Sequence, residues 1–148
     1  KELKKEECPT ILKLLDKDKQ NKILHIYEIH NKKLSNKFNQ YIKKNNINNL
    51  KLFWHGSRNE NWLSILDIGL LLNTDAYITG KLFGDGIYFS NECNKAWLYT
   101  SLNSKRFMGL CLTAYGDPFY EKGVHVYSKE ILSLLNKNCV HALSCLSW

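Results

Sequence analysis

The apolar residues of this chain come in short, interrupted runs, and this restricts the fold more than any other feature. The longest apolar stretch covers residues 107–114, and Leu52-Phe53-Trp54-His55 stops at once against Gly56-Ser57. Runs of that length suit short strands and short helices, and they fall well below the roughly 20 residues of a membrane-spanning helix. Pro9 suits the first turn of a helix over residues 10–15. Residues 23–29, rich in β-branched and aromatic side chains, read as a strand. Leu34, Phe38 and Tyr41 recur at helical spacing behind Asn31, a candidate N-cap, and an Asn-rich loop follows at residues 43–49.

The second half continues the pattern. Residues 52–55 read as a buried strand, and Trp62, Leu63, Ile65 and Leu66 as the apolar stripe of a helix that Gly69 ends. Ile87-Tyr88-Phe89 reads as a strand, Ser90 or Asn91 as the cap of a helix through Tyr99, and residues 107–114 as a central strand. Gly116-Asp117-Pro118 turns the chain, residues 124–127 read as a strand and residues 129–135 as a helix. Short strands and helices without regular βαβ alternation give an α+β class, and 148 residues give one domain. The charged start, Lys1 to Glu7, has no apolar stretch of a secretory signal, so the expectation is a protein that is neither exported nor in a membrane.

Charge is divided unevenly. Residues 1–51 hold 13 Lys against 6 acids, whereas the remainder is neutral overall. Such a segment could touch nucleic acid or an acidic partner. Only two of the 21 basic residues are Arg, the forked group that phosphate readers favour, so the composition favours a solvated lysine-rich surface over nucleic-acid binding. Cysteines at 8, 93, 111, 139 and 145 are odd in number, and no pair is spaced C-x-x-C. That fits a reducing intracellular compartment and gives no zinc or other metal site.

Three constellations carry chemistry. His55-Gly56-Ser57-Arg58 closes a strand; a histidine there can offer one ring nitrogen to a ligand hydroxyl, and Gly56 lets a flat amide approach its backbone. Alone, a histidine in that place is more often structural. Three glycines at 80, 84 and 86 precede Ile87-Tyr88-Phe89-Ser90, which is neither a Walker loop nor a dinucleotide fingerprint. Taken alone, the segment reads better as a glycine hairpin feeding a core strand. Finally, Tyr88 and Tyr99, eleven apart, could face each other across a slot, and two aromatic faces suit a flat cationic ring. Either tyrosine by itself reads as core.

Taken in order, H-G-S-R at 55–58, N-W-x-S-I-L-x-x-G-L from Asn61, T-G-x-x-F-G-x-G-I-Y-F from Thr79 and K-x-x-x-Y-T from Lys95 resemble the catalytic domain of poly(ADP-ribose) polymerases, especially compact members of bacterial and viral type. The resemblance implies an α+β ADP-ribosyltransferase fold, with two small, mostly antiparallel sheets and an NAD⁺ cleft between them. It implies transfer of ADP-ribose from NAD⁺ to a protein or nucleic-acid acceptor, with release of nicotinamide and no metal. His55 and Tyr88 would be catalytic, His55 holding the ribose 2′-hydroxyl. Gly56 would pair with the nicotinamide carboxamide, and Tyr99 would be the second stacking wall. Ser57, Arg58, Phe89, Ser90, Lys95 and Ala96 would complete the NAD⁺ site, and residues 72–81 would cover it.

Departures are visible too. Ala96 stands where relatives often have a serine that bonds the carboxamide, and Leu71 where many have an arginine. The family's catalytic glutamate lies on a later strand, which residues 139–144 resemble the approach to; Glu121 and Glu130 lie in unsuitable surroundings. The expectation is therefore an N-terminal extension at residues 1–22 and a catalytic domain at 23–148, incomplete at its C-terminus and trimmed before Lys1. A missing strand would leave a sheet edge bare or covered by a partner. A catalytically inert module that binds NAD⁺ or ADP-ribose is the alternative, and an RNA-binding protein follows from the lysines alone.

Overall fold

The computed structural model describes residues 1–72, 86–121, 137 and 139–142. Within them the elements run β1 (Glu2–Leu3), α1 (Pro9–Lys13), α2 (Lys17–Gln20), β2 (Ile26–Tyr27), α3 (Lys32–Lys44), β3 (Leu50–Gly56), α4 (Trp62–Ile68), α5 (Cys93–Trp97), β4 (Met108–Ala114), β5 (Pro118–Glu121) and β6 (Cys139–Ala142). The strands form three pairs: β1–β2 and β3–β4 are antiparallel, and β5–β6 is parallel. Mixed helices and strands with two small antiparallel sheets match the α+β expectation.

The scaffold of the molecule is the β3–β4 ladder, seven residues in register from Leu50 opposite Ala114 to Gly56 opposite Met108. Its buried end is Trp54, 5% exposed, packed with Leu15, Cys93 and Ala96 and flanked by Ile11, Leu12, Ile23, Met108 and Leu110. Burying an indole of about 200 Å² at about 25 cal/mol per Å² stabilises this corner by about 5 kcal/mol. The Trp54 Nε1–H donates to the Leu14 carbonyl (3.2 Å), so its polar edge is also satisfied. Helix α1, opened by Pro9 as its first residue, thus forms the floor under β3 and α5.

Helix α3 begins as its sequence predicts: the Asn31 side chain accepts from the Leu34 N–H (3.1 Å). The same side chain donates to the carbonyls of Leu66 and Asp67 (3.0 Å each), satisfying free acceptors in the last turn of α4. Gly69 ends α4 at φ +89°, and a Cβ there would meet Leu34 Cδ2 at 3.3 Å. Both backbone and space therefore call for glycine where the two helices touch.

Several expected elements differ. The strand read over residues 23–29 shrinks to Ile26–Tyr27, because its short partner β1 offers only two residues to pair with. Ile87, Tyr88 and Phe89 form no strand; only Ser90 bridges to Trp54, and the backbone before it is irregular. The helix expected through Tyr99 ends at Trp97, and Ser90 serves its start by accepting from the Glu92 N–H (3.0 Å) rather than by capping it directly. Residues 52–55 are a strand but not a buried one: Leu52 is exposed, because α1 and α5 cover only the Trp54 end. On α4, Leu63 and Leu66 are likewise exposed while Trp62 and Ile65 are half-buried. Strand β4 has a single paired neighbour among the described residues. The strand and helix expected at 124–127 and 129–135 lie outside the described residues.

Candidate functional site

The end of β3 is where the quoted motifs converge. The antiparallel bridge between Trp54 and Ser90 is closed by two bonds: the Trp54 N–H donates to Ser90 O (2.7 Å) and the Ser90 N–H to Trp54 O (2.9 Å). This draws Tyr88 and Phe89 alongside His55. The Nδ1–H of His55 donates to the Tyr88 backbone carbonyl (2.9 Å), and its ring lies tilted against Phe89 with centroids 5.5 Å apart. A carbonyl has no proton to give, so the bond fixes the proton on Nδ1 and leaves Nε2 of the neutral ring as an acceptor. Burial pushes the imidazole below its ordinary value of 6.5, with the Tyr88 carbonyl pulling the other way. His55 is thus held neutral, oriented and able to receive a hydroxyl hydrogen.

Gly56 is needed for a reason other than ligand approach. A Cβ at this position would lie 1.9 Å from the Ala96 carbonyl oxygen and 3.3 Å from Tyr99 Cβ. The glycine therefore lets the last turn of α5 press onto the strand end, and this contact brings Ala96 and Tyr99 to His55-Gly56. Ala96 is buried, whereas Tyr99 remains 39% exposed, with its ring available on that rim. At Gly86, among the described residues, a Cβ would meet the Tyr88 ring at an ordinary 3.7 Å. Gly80, Gly84 and most of the covering loop at 72–81 lie outside the described residues.

The rest of the first motif turns away from His55 and builds the loop behind it. Ser57 Oγ accepts from Asn61 Nδ2 (3.0 Å), and its carbonyl accepts from the Trp62 indole (3.4 Å). Arg58 is exposed and lies 3.8 Å from Glu60. Ser90 is buried with its hydroxyl committed to Glu92, and Lys95 is half-buried on α5. Glu121 closes β5, opposite Ala142, on a different sheet from His55; Glu130 lies outside the described residues.

Four supporting residues, Trp62, Gly109, Asn59 and Trp97, were not legible as such. Trp62 stands edge-on to His55, centroids 6.3 Å apart, and packs where a Cβ of Gly109 would be, 2.9 Å from Trp62 Cη2. Gly109 faces His55 across the ladder, and a glycine inside a strand marks such a close approach. Asn59 ties this loop to the chain before β4: its N–H donates to Ser101 Oγ (2.7 Å) and its side chain to Lys105 O (2.9 Å). Trp97 on α5 has Lys19 Nζ 5.1 Å and Arg106 Cζ 4.8 Å from its ring, two cation–π contacts that hold the helix from outside. Among the described residues no group of His, Cys, Asp or Glu is arranged to hold a metal.

Comparison with known proteins identifies the family. Residues 5–140 match the family model of the poly(ADP-ribose) polymerase catalytic domain. The chain is 36% identical to poly [ADP-ribose] polymerase 1 of Oryza sativa subsp. japonica over 65% of its own length and 10% of the rice protein. It is 30% identical to the putative poly [ADP-ribose] polymerase-like 100L of Invertebrate iridescent virus 6, over 82% of this chain and 68% of the viral one. With poly [ADP-ribose] polymerase 2 of Homo sapiens it shares 40% identity over 47% of this chain and 12% of the human one. The chain thus spans about a tenth of the rice and human relatives and two thirds of the viral relative. With the motifs joined at one strand end and the match running through nearly all of the sequence, the chain belongs to the poly(ADP-ribose) polymerase catalytic domain family.

Proposed function

We propose that this chain is an ADP-ribosyltransferase that binds NAD⁺ at the end of β3 and passes its ADP-ribose to a protein or nucleic-acid acceptor, releasing nicotinamide. The observation that carries the reading is His55, neutral through burial and bonded through Nδ1 to Tyr88, so that Nε2 is a fixed acceptor. In this reading Nε2 receives the ribose 2′-hydroxyl hydrogen and orients the sugar. The backbone of Gly56 pairs with the carboxamide, and Tyr88 and Tyr99 flank the pyridinium ring. Phe89 borders that pocket beside His55; Ser57, Arg58 and Ser90 support it from behind, and Lys95 stands on its acceptor side. Cleavage of the ring from the sugar develops positive charge on the ribose; the residues named here hold and orient the two halves while that occurs.

Ala96 favours a second reading, an inert module that binds NAD⁺ or ADP-ribose. Its methyl group is buried, and it offers no hydroxyl to the carboxamide, an absence worth about 0.5–1.5 kcal/mol of binding. Calorimetry with NAD⁺ and with benzamide, followed by incubation with NAD⁺ labelled in its adenine, separates the readings. Binding of both ligands together with label on protein is the expected result. Binding without any label or free nicotinamide establishes the inert module, and failure of both ligands to bind removes the site.

A further inference from the structure

The lysines that are diffuse in composition are concentrated by the fold. Helix α3 carries Lys32, Lys33, Lys37, Lys43 and Lys44 and no acidic residue. At about 100° per residue these five fall within an arc of about 140°, and all five are exposed. The opposite stripe of Leu34, Phe38 and Ile42 is half-buried and anchors the helix to the body, with Leu34 against Gly69. Asn31 fastens the same end to α4. Among the described residues none of the five lysines has an ion pair, although acids elsewhere in the N-terminal region do pair, Asp18 with Lys19 and Glu2 with His25. The charge of α3 is therefore unspent, rigidly mounted and outward.

We propose that this face of α3 docks the phosphate backbone of a nucleic acid duplex, without reading its sequence. The helix is about 20 Å long at about 1.5 Å per residue, the axial rise of about six base pairs at about 3.4 Å each. Lysine ammonium groups bind phosphate oxygens as point charges, and a helix without the forked arginine suits docking that does not read sequence. Asn36, Asn39 and Gln40 lie exposed among the lysines, amides of the kind that bond phosphate and sugar. A duplex presents regularly spaced phosphate charge along the whole length of the helix, which makes it the partner that fits this row of lysines. This docking stands apart from the coenzyme reading, because no residue of the β3 end takes part in it.

The test is anisotropy of a fluorescent DNA duplex of about 20 base pairs titrated with the 148-residue chain between about 50 and 200 mM salt. Five phosphate contacts predict a slope of log K against log salt of about −4.5, a loss of about 500-fold over that range. The variant Lys33→Gln/Lys37→Gln/Lys44→Gln keeps two contacts and should lose only about 12-fold over the same range, binding more weakly at low salt. A control of equal net charge, Lys4→Gln/Lys13→Gln/Lys22→Gln, should keep the wild-type slope, and all three proteins should bind benzamide alike. The proposal is overturned if the control weakens DNA binding as much as the α3 variant, or if the α3 variant binds like wild type. It is also overturned if polyglutamate of equal charge displaces the duplex as well as unlabelled duplex does, which would make the face one for acidic protein.

Discussion

The corner where β3 meets α5 and the outer face of α3 solve opposite problems with opposite materials. At the corner, Trp54, Cys93 and Ala96 are buried, Gly56 cannot carry a side chain because its Cβ would overlap the Ala96 carbonyl, and the imidazole of His55 is held neutral. On α3 the outward residues are long, charged and free of neighbours to accommodate, and only the cap and the half-buried stripe are constrained. Geometry is specified where atoms crowd, and charge is displayed where they do not. The two regions should therefore answer differently to substitution, to pH and to salt.

The largest difference is expected from Gly56→Ala. The added methyl overlaps backbone rather than a movable side chain, so α5 must shift, at a cost of about 3 kcal/mol. A lowered urea midpoint together with lost benzamide binding checks this; an unchanged midpoint would mean that the corner is looser than its contacts indicate. Next comes Asn31→Ala, which removes an N-cap and two bonds to α4. Unfolding should show a loss of about 1–2 kcal/mol, which would place the real constraint on α3 at its cap and not along its lysines. Tyr99→Ala, at a partly exposed position, should leave the midpoint nearly unchanged and weaken benzamide about tenfold, through a lost stacking contact of about 1.4 kcal/mol.

Acid sharpens the contrast further. The unfolded chain protonates His55 near pH 6.5, whereas the folded chain resists until lower pH. Stability therefore falls as pH drops below about 6.5 and levels off once the folded form is protonated too. His55→Gln should remove that component from the pH profile. Benzamide and NAD⁺ binding should differ in the same experiment: NAD⁺ affinity weakens in acid as Nε2 ceases to accept, while benzamide, which has no ribose, binds alike over that range. The smallest effect is expected from the triple α3 lysine variant on folding, within about 0.5 kcal/mol by thermal unfolding.

Local signals read well where they act locally. The Asn31 cap, the Pro9 start and the Gly69 stop needed only neighbouring residues, and each stands where the sequence places it. The strand end at His55-Gly56 is also where the sequence places it, because the apolar run stops there against Gly56-Ser57. What failed was burial. Leu52 and Leu63 are apolar and in phase, yet exposed, since no pattern within a strand or helix tells which end its neighbours will cover. Ile87-Tyr88-Phe89 looked like a strand because β-branched and aromatic residues favour one, but a single bridge to Trp54 satisfies the segment instead. Gly56 was recognisable as necessary, whereas the carbonyl that makes it so comes from forty residues away.

The seating of α1 has a mechanical consequence. Leu15 lies under Trp54, the Leu14 carbonyl receives its indole, and Asp16 Oδ2 accepts from the Asn94 N–H (3.1 Å) in the first turn of α5. A pull on the amino-terminal arm is thereby transmitted to the short helix that carries Ala96 and leads into Tyr99. Whatever grips that arm works a lever whose far end is the turn that carries Tyr99.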